Sequence, residues 1–394
     1  MNPRIYLLAF GTFTVGTEGY VIAGVLPAVA HDMHTSVSVC GQLVTVFALV
    51  YALAGPVLIG TFHRVPPKWL LVGAALAFAV SNAIAAVATD FALLTLARVL
   101  AALSAALFAA PAAATAAALS RPEDLPHAIA ITASGNALAL TLGAPIGTVI
   151  GAELGWRGAF WFVTALALLT AVGVAAWLPE VPTPPAQTGR LNLLRSPAIR
   201  WGLVTTFGIF LAAYCTYTYL SPIVGRATGM GSTGVAVLMV VFGAGGFLGG
   251  RTIGRILVRT PIATVLRTVL VIMTILLALI AVFTGAHVPG LAEVVFFPLL
   301  FLLGMSWWSG GISQQTRIAA HAPLQRSQAL GLHFSAQFLG VAVGGALGGA
   351  ALSAGGPVAV PVVSAVIALV SLVSVRLTVP MVPVPLPASV TTQP

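Results

Sequence analysis

Charge is what this chain has least of. Lys, Arg, Asp and Glu make up 6% of its 394 residues, where soluble domains carry about a quarter. With 59% hydrophobic residues and a mean hydropathy of +1.06, it cannot cover a water-facing surface, which excludes a soluble globular domain. The formal charge of +9 forms no continuous basic patch, so nucleic acid is excluded as a partner. Cysteine is nearly absent: Cys40 and Cys215 lie in or beside different apolar runs and give neither a disulfide framework nor metal-ligand spacing. Long polar alternation is missing, which excludes a membrane barrel. No catalytic set appears, and glycine-rich runs such as 243–250 lack the lysine and Ser/Thr of a phosphate loop. An enzyme, a metal, a cofactor and an ATP site are therefore not expected, and the energy source should be an ion gradient. The N-terminus lacks a signal peptide's short core and cleavage site, so its apolar run reads as a span that stays.

What remains is a series of apolar runs, each near the roughly 20 residues a span needs. They fall near 5–28, 38–61, 69–89, 92–118, 128–152 and 158–178, then near 201–224, 232–256, 262–284, 290–311, 327–353 and 358–379. This predicts an all-α integral membrane protein with about twelve transmembrane helices in two six-helix bundles, at 1–178 and 200–380. The proline-rich stretch 179–199 reads as a cytoplasmic linker, and 381–394 as a disordered cytoplasmic tail. Phe10-Gly11-Thr12-Phe13 and Phe207-Gly208-Ile209-Phe210 open the two sets. Pro27 and Pro222 follow near the outer end of each span, which hints at an internal repeat. Most arginines, with Lys68, fall on one side. Arg157 and Arg226 fall on the other with Asp32, Asp90, Glu153 and Glu293. Both termini are then cytoplasmic and the protein multi-pass in the plasma membrane.

Of the eight acids, seven fall at or near the end of an apolar run. Glu18 does not. At about 1.5 Å per residue it lies roughly 21 Å from both Arg4 and Asp32, near the midplane of the first span. An acid at that depth either faces a cavity, a partner or a proton path, or is protonated and hydrogen-bonded to a neighbouring helix.

The fifth span carries Gly135-Asn136, then Gly143-Ala144-Pro145-Ile146-Gly147, then Gly151 and Gly155-Trp156-Arg157-Gly158-Ala159-Phe160. Glycines 143, 147, 151 and 155 recur every four residues and would line one face, letting another helix approach. Pro145 should kink it. This pattern resembles the antiporter motif of the major facilitator superfamily's drug:proton antiporters. Thr17-Glu18, Gly24-Val25-Leu26-Pro27 and Asp32 resemble the first helix of its chloramphenicol-exporter and sugar-efflux branch. Leu96-Ala97-Arg98-Val99-Leu100 resembles the fourth-helix arginine motif, and Tyr219–Val224 and Phe242–Gly249 resemble the second half of that branch.

The resemblance implies a major facilitator fold with a cavity between helices one, four, seven and ten. Arg98 is then the counter-charge for Glu18 in proton coupling; the alternative is an arginine that bonds helix carbonyls. Thr17, Asn136, Tyr214, Tyr217, Trp307, Trp308, His333 and Gln337 become substrate-cavity residues. Trp308, placed near the inner end of its span, equally suits an interfacial belt, and His333 with Gln337 suits interhelical hydrogen bonding. Gly143, Pro145, Gly147 and Gly151 are packing positions. Arg64 and Lys68 mark a cytoplasmic gating loop that departs from the family pattern by lacking an acid. The expected function is export of amphipathic small molecules, chloramphenicol-like antibiotics among them, in exchange for protons, by a monomer in the inner membrane. A sugar or metabolite efflux permease, a proton symporter and, in another class, a non-transporting receptor or scaffold are the alternatives.

Overall fold

The computed structural model describes residues 3–62, 65–120, 125–181, 190–286, 289–322 and 326–376. Their regular structure is helical throughout. The first set comprises α1 (Arg4–Asp32), α2 (Val37–Thr61), α3 (Pro67–Ala86), α4 (Phe91–Ala118), α5 (Leu125–Leu138), α6 (Ala144–Glu153) and α7 (Trp156–Trp177). After a short 3-10 turn at Arg190–Arg195 come α8 (Pro197–Thr218), α9 (Leu220–Thr228), α10 (Ser232–Arg259), α11 (Ile262–Ala286), α12 (Pro289–His321) and α13 (Arg326–Arg376). Among the described residues, eleven candidate spans are long and apolar enough to cross a membrane. The last of them contains two crossings, because Gly356 (φ 69°) breaks α13 into two arms just before Pro357. Twelve crossings result.

Four local features depart from the sequence expectations, and each has a cause. The fifth span does not simply kink at Pro145. It passes from α5 through a π-helical turn, Ala139–Gly143, into α6, with Pro145 in the first turn of α6. Proline offers no N–H to the carbonyl four residues back, and the wider turn absorbs that gap. Gly155 does not continue the glycine face. It caps α7 with φ 79°, a left-handed conformation that glycine enters without steric cost. The seventh span breaks at Tyr219 into α8 and α9, because Pro222 cannot donate to the Thr218 carbonyl. The tenth span runs to His321 rather than ending near 311. Its polar end stays helical by bonding internally: Ser313 Oγ donates to the Ser309 carbonyl (2.7 Å) and Gln314 Nε2 to the Gly202 carbonyl of α8 (2.6 Å). Arg317 is therefore buried on that helix.

One large apolar cluster takes residues from both sets: Val21, Val25 and Val29 of α1, Leu43 of α2, Tyr217 of α8, Phe242 of α10, Leu300 of α12 and Val341 of α13. Other clusters belong to one set only. Ile5, Leu71, Phe108 and Val174 pack within the first, and Ile199, Ile318 and Ala329 within the second. The two sets are thus joined from the middle of α1 toward its Asp32 end and have separate cores toward its Arg4 end.

Candidate functional site

The helix α1 presents two functional faces to its neighbours. Along one, Gly16 meets Asn136 and Ala139, Thr17 meets Gly143, Val21 meets Gly147, Gly24 meets Thr148 and Val25 meets Gly151. A Cβ added at any of these glycines would collide with its partner, so Gly143, Gly147 and Gly151 are the sites of close approach expected for them. Thr12 Oγ1 extends the seam with a hydrogen bond to the Thr132 carbonyl (2.6 Å).

The second face carries Glu18. Its carboxylate forms an ion pair with Arg98 of α4, and both side chains are buried. Arg98 Nε also donates to the Leu43 carbonyl of α2 (3.5 Å), and the guanidinium lies 4.5 Å from the centre of the Phe47 ring. Ion pairing and carbonyl bonding, alternatives on sequence grounds, therefore coexist. Arg98 lies seven residues into α4 and Glu18 fourteen residues from Asp32. A buried pair of this kind is held by geometry: removing one partner costs about 3–5 kcal/mol because the other charge is stranded.

Tyr20 lies between Gly16 and Gly24 on the first face, about 160° around the helix from Glu18. Asn136 Nδ2 donates to its hydroxyl (3.3 Å), and its ring meets Tyr217 edge-on at 5.9 Å. Tyr217 contacts Tyr214 (5.8 Å), Phe242 (5.4 Å) and Trp307 (5.9 Å); Trp307 contacts Tyr214 (5.2 Å), Phe210 (5.9 Å) and Trp308 (5.8 Å). Asn136, Tyr214, Tyr217, Trp307 and Trp308 thus converge as an aromatic wall across the joint between the two sets. Trp308 sits mid-helix in the 33-residue α12, not at its end. Offset and edge-to-face ring pairs of this sort favour flat apolar ligands.

The remaining candidates lie apart from that wall. His333 Nδ1 is 3.1 Å from Thr206 Oγ1, inside the second set. Gln337 is half-buried one turn further on, beside Phe338, which stacks on Tyr51 of α2 at 3.9 Å. Lys68 is in the first turn of α3 with its ammonium 5.7 Å from the Trp69 ring centre. Arg64 lies outside the described residues, as does the tail 381–394.

Two features escaped sequence reasoning. Tyr20 and Phe242 complete the aromatic wall; a phenol two positions from the buried acid was the available signal for the first. The second is a clamp at the Asp32 end of α1. Arg157 pairs with Asp32 and donates from Nη2 to the Ala88 carbonyl (2.9 Å), while Trp156 Nε1 donates to Asp32 Oδ2 (3.1 Å). The Gly-Trp-Arg run thereby ties α7 to α1 and to the turn between α3 and α4.

The sequence matches the description of the Major Facilitator Superfamily over residues 8–325. The chain belongs to that superfamily. It is 30% identical over 255 residues to a chloramphenicol resistance protein of Streptomyces lividans, covering 63% of this chain and 65% of that one, so the match stops short of the relative's full length. It is 27% identical over 351 residues to the MFS-type transporter YbcL of Bacillus subtilis, covering 88% of each. Among solved structures, a mutant of the nucleoside transporter NupG superposes with a TM-score of 0.77 at 14% identity, covering 95% of this chain and 99% of that one. At that identity the likeness concerns the fold. A superfamily member with this architecture is a multi-pass membrane transporter of small molecules rather than an enzyme.

Proposed function

We propose that the protein exports uncharged or amphipathic small molecules, chloramphenicol-like antibiotics among them, in exchange for protons. The observation that carries this reading is the position of the buried Glu18–Arg98 pair on the same helix as Tyr20 of the aromatic wall. Glu18 and Tyr20 point to different neighbours, so proton and substrate do not share an atom. They communicate through α1. Protonation neutralises the carboxylate and strands the Arg98 charge, which favours a rearrangement of α1 against α4. The same movement carries Tyr20 against Tyr217 and Asn136, reshaping the substrate wall. Because the two sets of helices, among the described residues, share a core toward the Asp32 end of α1 and have separate cores toward its Arg4 end, α1 lies where a rocking motion would open the latter. The relative from Streptomyces lividans supports the choice of cargo. A sugar permease would call for more polar side chains than a wall built mostly of ring faces offers; its one amide, Asn136, already donates to Tyr20.

The test is transport of labelled chloramphenicol by the purified protein in liposomes under an imposed pH gradient. The wild-type chain is expected to concentrate the compound against its own gradient and Glu18→Gln to lose that ability, retaining at most downhill exchange. Concentration by Glu18→Gln at the wild-type rate would overturn the coupling role. The excess of basic residues on the Arg4 side supports a plasma-membrane orientation with both termini cytoplasmic, in which terminal tags should be shielded in intact cells.

A further inference from the structure

Two buried donors in the aromatic wall have no partner: the Tyr217 hydroxyl and Trp307 Nε1. Both side chains are almost wholly enclosed, at 3% and 1% exposure, and their rings are in contact. Buried polar groups are nearly always hydrogen-bonded, and leaving one unmade is destabilising. Two such groups side by side need an occupant. Both residues line a small cleft in the second set, shared with Thr216, Leu220, Phe242 and Leu300. Thr216, the other polar side chain there, donates to Ser364 Oγ (2.8 Å) and bonds neither of the two donors.

We propose that the transported ligand is uncharged and places a hydrogen-bond acceptor, such as a nitro or carbonyl oxygen, between Tyr217 and Trp307. This rests on the exporter reading and narrows its substrate class. The indole N–H can only donate, so its complement must accept. The surrounding ring faces would also suit a lipophilic cation, but such a ligand would leave both donors idle. It would also find no counter-charge: Glu18 is held by Arg98 on another face of α1, and the other acids among the described residues lie at or near helix ends. An acceptor-bearing aryl compound satisfies both the rings and the donors.

The test measures binding without a gradient, so that it does not depend on transport. Equilibrium dialysis of the full chain in lipid nanodiscs would compare chloramphenicol, its analogue with hydrogen in place of the nitro group and another with its amide carbonyl reduced, and tetraphenylphosphonium. Trp307→Phe and Tyr217→Phe each keep a ring and remove a donor. Each is expected to weaken chloramphenicol binding about three- to tenfold, the worth of one neutral hydrogen bond, with Trp177→Phe at the exposed end of α7 unchanged. On the wild-type chain at least one of the two analogues should be weakened similarly and should be insensitive to whichever donor its missing group had engaged. Those ligand-side comparisons stand even if one variant fails to fold. Parent affinity in both variants, equal binding of all three aryl compounds, preference for tetraphenylphosphonium, or no binding of chloramphenicol would each overturn the inference. Binding with the expected pattern but no uphill transport would leave it standing and sink the exporter reading instead.

Discussion

Glu18 and Arg98 illustrate how one charge in an apolar span dictates its surroundings. Alone, either would have to be neutral or draw water inward; together, over the Phe47 ring and against the Leu43 carbonyl, they satisfy each other. Glu18 stood out in the sequence by its depth, and Arg98 by the fourth-helix motif it resembles. That they touch was not legible, because contact depends on how α1 and α4 pack. A structural role and a coupling role predict different things, and a double variant separates them. Glu18→Gln and Arg98→Gln singly each strand a polar or charged partner and should lower thermal stability clearly, by about 3–5 kcal/mol where a full charge is left alone. The double variant removes both charges and should melt above at least one single variant while remaining unable to drive uphill transport. Melting of the purified variants, read beside their gradient-driven flux, checks both halves. A double variant that recovers flux along with stability would reduce the pair to a structural bridge.

At the scale of helices, the informative residues are those that let backbones come close. Glycines at 143, 147 and 151 could be read as a packing face from their spacing, and α1 supplies what they pack against: Thr17, Val21 and Val25. Gly155 shared the spacing but not the role, since period alone cannot distinguish a glycine that admits a neighbour from one that turns the chain. The lengths of the spans were equally legible, because about 20 apolar residues leave few other readings. The breaks at Tyr219 and in the π turn before Pro145 were less so. They depend on which carbonyl a proline leaves unpaired and on how the neighbouring helices take up the slack. The contrast between crowded and open glycines gives a prediction with two signs. Gly143→Leu or Gly147→Leu should force α6 off α1 and cut folded yield or coupling severely. Gly73→Ala in α3, where a Cβ meets nothing within 4 Å, should be tolerated and raise helix stability by about 1 kcal/mol. Folded yield from size-exclusion profiles and melting curves report both, and normal behaviour of the leucine variants would remove the close-approach argument.

Over the whole molecule, the Asp32 end is closed by a seam between α2 and the first arm of α13, with Tyr219 wedged behind it. The Tyr219 hydroxyl donates to the Gly345 carbonyl (2.9 Å), while its ring fills the space beside Gly41 and Gly348. Ser38 Oγ donates to the Gly349 carbonyl (2.6 Å) and accepts from Ser353 Oγ (2.8 Å). Because the two sets have separate cores at the other end, opening of this seam is the step that would reverse access. The chain carries its own reporters of that step. Cys40 lies in the same stretch of α2 as Gly41, and Cys215 is against Gly344 and Gly348; both thiols are fully enclosed as the seam stands. The Tyr219 hydroxyl also reaches the Ser38 carbonyl of α2 across the seam (3.4 Å); Tyr219→Phe removes that contact and little volume, so it should raise the open fraction several-fold, by the roughly 1 kcal/mol such a bond contributes. In a Cys215→Ser background, where Cys40 is the one remaining thiol, the rate of alkylation by N-ethylmaleimide should rise by that factor in Tyr219→Phe. Gly349→Val, which pushes a side chain into the Tyr219 hydroxyl and the Gln42 amide, should raise it further. Substrate that binds with the seam closed should slow alkylation in all of these chains by holding the two sets together. If Cys40 reacts at one rate in every background, the seam does not open as a unit, and access to the aromatic wall must be controlled elsewhere.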